Sequence, residues 1–89
     1  MVMDTETENL DIPEHWQVEN ERLFRNFKFP SYSQCVEFTN EVAQLAQQLN
    51  HHPSITLEYS GVALTLFSHD KGKITERDIE FAKNVNGLN

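Results

Sequence analysis

The chain has 89 residues and a formal charge of −7, from seven Lys and Arg against fourteen Asp and Glu. One domain is all this length holds, and a domain so small buries only roughly 60–65% of its unfolded surface, so subunit assembly is an expected source of stability. The acidic balance opposes nucleic-acid and anionic-membrane partners, and no apolar run approaches the ~20 residues of a membrane span. The single Cys35 cannot form a disulfide within the chain, which with the lack of a signal-peptide pattern predicts a soluble cytoplasmic protein.

Residues 1–15 carry five acids and the interrupting Pro13, and they read as an N-terminal arm to a domain over 16–89. Trp16 and Val18, then Leu23, Phe27 and Phe29, fall on alternate positions around Asn20-Glu21, which predicts two strands joined as a hairpin. Arg25 shares the parity of the apolar set, as an edge residue or a snorkelling one. After Pro30, Ser31 to Gln34 has the S-x-x-Q form of a capping box. Cys35, Phe38, Val42, Leu45, Ala46 and Leu49 then recur at helical spacing, and Asn50 suits the left-handed position that ends a helix. A second hairpin is predicted from Ile55, Leu57 and Tyr59 against Val62, Leu64 and Leu66, with Ser60-Gly61 as its turn. Last comes a helix with Thr75 at the N-cap, Asp78 at the third position, and Phe81, Ala82 and Val85 on one face. The order predicts an α+β fold, a four-stranded antiparallel sheet with helices on one face and room for a short N-terminal helix.

The histidines carry the chemistry. With Ser60-Gly61 as a two-residue loop, opposed residues of the second hairpin have numbers summing to 121, which sets His52 opposite His69. Opposed Cβ atoms are ~4.5–5.5 Å apart, close enough for two imidazoles to address one small molecule. His51 leaves the helix at the same corner. Imidazoles near their ordinary pKa both give and take protons, so the group suits acid–base elimination of water without a cofactor. Plainer readings exist: a histidine pair at a helix end complements the helix dipole, Asp78 caps a helix, and His15 is a loop residue. The spacing matches no familiar zinc pattern, so no metal is expected.

His51-His52-Pro53, then Tyr59, His69 and Asp78, with Ser68-His69-Asp70 ahead of Ile74-Thr75-Glu76-Arg77-Asp78-Ile79, resembles the signature of the pterin-4a-carbinolamine dehydratases. Trp16, the run Arg25-x-Phe27-x-Phe29 and Phe38 fit the same pattern, so the likeness spans roughly residues 16 to 86. The resemblance implies a homodimer or homotetramer that dehydrates 4a-hydroxytetrahydrobiopterin-like carbinolamines to quinonoid dihydropterin, in pterin recycling. By position it implies His51, His52, His69 and Asp78 as catalytic residues, and Gln47, Pro53, Ser68 and Asp70 on the substrate. It leaves acid and base unassigned among the histidines. Two positions depart from the family: Gln47, where an acid is usual, and Ile55, where many members have tryptophan. These departures sustain an alternative, a non-catalytic binding module on the same scaffold. Relatives of that kind act as a transcriptional coactivator or a Rubisco assembly factor.

Overall fold

The computed structural model describes residues 10–88. Strands β1 (Gln17–Glu19) and β2 (Arg22–Lys28) precede helix α1 (Tyr32–Leu49); strands β3 (Ser54–Glu58) and β4 (Gly61–Leu66) follow, then helix α2 (Glu76–Leu88). The sheet is antiparallel in the order β1-β2-β4-β3, so β2 and β4 lie inside and β3 forms an edge. Both helices cover one face, as the pattern predicts. No helix precedes β1 among the described residues, and the arm's first nine residues lie outside them. Leu10 and Ile12 pack against the core, so the described part of the arm is docked.

Asn20 and Glu21 join β1 to β2 with φ of 50° and 63°. Two successive positive φ values give the turn whose twist matches a hairpin, and they favour Asn-Gly. Glu21 has a Cβ where glycine would be unstrained. Glu21→Gly should therefore stabilise the domain by about 0.5–1 kcal/mol, read as a higher urea midpoint.

Ser31 caps α1 by accepting from the Gln34 N–H at 3.3 Å. Asn50 closes the helix at φ 53°, and the His51 N–H donates to the Ala46 carbonyl at 3.1 Å. This six-to-one bond ties His51 to the last turn and directs it away from the helix axis. Arg25, on the core-facing parity, lies flat on Phe27 at 4.1 Å and donates to Asn86 Oδ1 at 2.6 Å. Trp16 donates to the same oxygen at 2.9 Å, and Asn86 Nδ2 donates to the Glu14 carbonyl. The arm, β2 and the end of α2 are thereby latched together.

The second hairpin differs from its predicted register. Tyr59 and Ser60 form the loop, Glu58 faces Gly61, and opposed numbers sum to 119. Neither loop residue takes positive φ, so the turn makes no demand for glycine. Gly61 serves packing instead: a Cβ there would stand 2.9 Å from the Phe27 carbonyl oxygen on β2. Thr56 consequently faces Ala63 rather than Thr65, and the ladder ends at Ser54↔Thr65 without pairing His52 to His69. The apolar row of β3 is also less buried than its alternation suggests. Ile55 packs against the core, but Leu57 and Tyr59 are exposed, as an edge strand allows.

Candidate active site

The chemistry gathers where β4 runs out, beside the end of α1. Alternation continues past Leu66, so Phe67 and His69 turn outward while Ser68 turns into the core. The segment then doubles back. Ser68 bridges to Lys73, its carbonyl accepts from the Lys71 and Gly72 N–H groups, and Gly72 holds the left-handed φ of 70° that the reversal needs. Thr75 and Asp78 follow at the start of α2.

Asp78 is fully buried, and its carboxylate has three donors. Oδ1 lies 2.6 Å from His51 Nε2; Oδ2 accepts from Ser68 Oγ at 2.8 Å and from the Thr75 N–H at 2.9 Å. The Thr75 bond is the reciprocal half of a capping box, with Asp in the place usually held by Glu. Capping and partnership with a histidine are thus both met by one side chain, each through its own oxygen. Ser68 spends its proton on Asp78, so the Thr75 hydroxyl, 2.7 Å away, donates to Ser68 while accepting from the Arg77 N–H. A buried carboxylate left unpaired would be costly; here it is satisfied on both oxygens.

This chain of bonds sets the state of His51. The side chain is 10% exposed, and Phe81 meets the ring edge-on at 6.1 Å. In the neutral ring, a hydrogen on Nε2 faces the carboxylate oxygen and leaves the lone pair on Nδ1.

His51, His52 and His69 line one cavity of about 200 Å³ together with Asn50, Phe67 and Asp70. The histidines therefore converge as expected, although by a different route: the cap at Asn50 and the turn at 68–73 bring them together, not strand pairing. Asp70 stands at the rim, bonded to Arg77, and that hydrogen bond holds its carboxyl below the usual carboxylate range. Asp78 and Ser68 do not reach the cavity. Asp78 lies behind His51 and Ser68 behind Asp78, the two residues for which the family pattern implies a catalytic acid and a substrate contact. Gln47 and Pro53 lie in a neighbouring groove, which shares His52 with the histidine cavity.

Sequence reasoning read Asn50, which also lines the cavity, only as a helix end, and it passed over Phe67. Its ring meets His69 edge-on at 5.0 Å and carries the Arg22 guanidinium 4.2 Å from its centre. The available signal was its parity, an aromatic in the row turned away from the helices.

A two-layer α+β domain with three histidines on one cavity, and a buried carboxylate holding one of them, defines the class. The family model described as pterin 4 alpha carbinolamine dehydratase matches residues 2–88. A relative from Sulfolobus acidocaldarius, whose name places it among the pterin-4-alpha-carbinolamine dehydratases, is 38% identical over 75 residues, covering 84% of this chain and 82% of its own. One from Thermomicrobium roseum with the same name is 40% identical over 70 residues, covering 79% and 75%. Among solved structures, a transcriptional coactivator/pterin dehydratase from Brucella melitensis superposes with a TM-score of 0.79 at 34% identity, over 84% of this chain and 82% of that one. A pterin dehydratase-like protein identified as a RuBisCO assembly factor in the alpha-carboxysome gives 0.67 at 31%, over 82% and 84%. The chain belongs to the pterin 4 alpha carbinolamine dehydratase family.

Proposed function

We propose that this protein dehydrates a 4a-hydroxytetrahydropterin to the quinonoid dihydropterin. In that reaction the C4a–O bond breaks, N5 loses its proton, a C4a=N5 double bond forms and water departs. It needs a base at N5 and an acid at the hydroxyl, with no redox change.

The observation that carries the reading is the convergence of His51, His52 and His69 on one cavity with Asp78 behind the first. His51 suits the base. Its Nε2–H is committed to Asp78, so the proton from N5 goes to Nδ1, and the carboxylate compensates the charge the ring then takes on. His52 and His69 are exposed and free of hydrogen bonds to the described residues, which supports a role for one of them in protonating the leaving hydroxyl. Phe67 presents an apolar surface for a flat ring.

The test is the rate of breakdown of synthetic 4a-hydroxytetrahydropterin. His51→Ala and His69→Ala should each lose ~10-fold or more relative to wild type, the usual scale of a positioned acid or base. Wild type no faster than buffer, or both variants unchanged, removes the enzyme reading. A non-catalytic binding module is then favoured, the reading supported by the similarity to the RuBisCO assembly factor. Assembly into a dimer or tetramer, also implied by family membership, is measured by light scattering.

A further inference from the structure

The histidine cavity is small for its task. At about 200 Å³ it falls below the ~300–1,000 Å³ common for small-molecule sites, so the edges of a bicyclic ligand reach the depressions that border it. Two extensions are open. Beyond His51 lies a depression flanked by Glu76, Arg77 and Glu80, whose charges a neutral ring would strip of water without replacing their partners. Beyond His52 lies the larger groove of about 470 Å³, between one flank of α1 and the start of β3.

That second groove has an unusual composition for a chain of this charge: no Asp, Glu, Lys or Arg lines it. Asn40, Gln44 and Gln47 follow one another at four- and three-residue spacing, so their carboxamides share the flank of α1 that faces Pro53 and Ile55. All three side chains are exposed and free of hydrogen bonds to the described residues.

We infer that this carboxamide flank is a specificity subsite that reads the lactam edge of a pteridine, N3–H and C4=O, while the histidines act on C4a and N5. The inference rests on the proposed dehydration. A carboxamide offers one acceptor and one donor side by side, which complements a lactam in two parallel hydrogen bonds. A carboxylate offers two acceptors and would select the amidine edge, N3–H with the 2-amino group, instead. The connectivity agrees: C4 is bonded to C4a, so a ring with its reacting carbon at the histidines has its lactam beside them, in the direction of the groove that His52 shares. It follows that the 2-amino group is not a main determinant, and that the substrate class is 4-oxopteridine carbinolamines with a free N3–H.

Fluorescence titration of 6-methylpterin, 3,6-dimethylpterin and 6-methyllumazine tests this with wild type, Gln44→Leu and Gln47→Leu. In wild type, N3 methylation should weaken binding ~10-fold or more, while exchange of the 2-amino group for oxygen changes it by about threefold or less. At least one leucine variant should shrink the N3 penalty to about threefold or less, with unchanged helical circular dichroism, since both positions face solvent. An N3 penalty absent from wild type, or kept whole in both variants, overturns the inference, as does strong rejection of the lumazine. These results leave the dehydration assay untouched. If wild type neither binds 6-methylpterin nor accelerates carbinolamine breakdown, the proposed function fails and takes this subsite with it.

Discussion

Asp78→Asn should lower the dehydration rate by about 10²–10⁴-fold while the domain stays folded. The carboxylate accepts from Ser68 and the Thr75 N–H on one oxygen and holds His51 Nε2 on the other. An asparagine of the same shape keeps its single oxygen for Ser68 and Thr75, so the cap survives. Its NH₂ group then faces His51 Nε2 and requires a lone pair there. The ring's proton moves to Nδ1, and the nitrogen that would take the N5 proton becomes a donor. The compensating charge is lost as well. Stability should fall by only about 1–3 kcal/mol, since the bonds lost are charge-assisted but the groups remain paired. Carbinolamine turnover and urea denaturation on the same preparation separate the two effects. A variant that turns over at the wild-type rate while keeping its fold would show that His51 needs no orienting carboxylate.

Phe81→Ala should remove most of the domain's stability at 25 °C. Phe81 is completely buried on α2, and its ring meets His51 edge-on. Truncating a buried phenylalanine costs about 3–5 kcal/mol, combining lost burial with the cavity left behind. Domains are stable by only about 5–15 kcal/mol, and one this small sits toward the lower end. The loss is thus comparable with the whole reserve. Phe81→Leu keeps most of the volume and should cost markedly less, which distinguishes a packing effect from damage to the site. Far-ultraviolet circular dichroism and the urea midpoint read both variants. An alanine variant with the wild-type midpoint would mean that the groove between α2 and the sheet closes over the missing ring.

Both expectations depend on contacts between elements distant in the chain, and these are where sequence reading had least purchase. Helix α1 was legible at both ends, from Ser31 to Asn50, because its caps and its apolar face depend on residues within a turn or two of each other. The turn at Asn20-Glu21 was legible for the same reason. In the second hairpin the parity was legible and the register was not. A slip of two residues leaves every side chain on its own face, so alternation cannot distinguish a sum of 119 from one of 121. Strand β2 distinguishes them, through the Phe27 carbonyl that only a glycine at position 61 can approach.

The candidate site divides along the same line. Local pattern by itself determined the α+β class, the two hairpins and both helix starts. It also determined that the histidines and Asp78 stand at the ends of elements, where chemistry is usually placed. Tertiary structure decided which of these side chains meet. It set Asp78 behind His51, turned Ser68 into the core, brought Phe67 to the cavity, and joined that cavity to the carboxamide flank of α1 through His52. The reason is physical: caps, turns and periodicity are fixed by near neighbours along the chain, whereas the meeting of two side chains depends on strand order, register and the packing of whole layers.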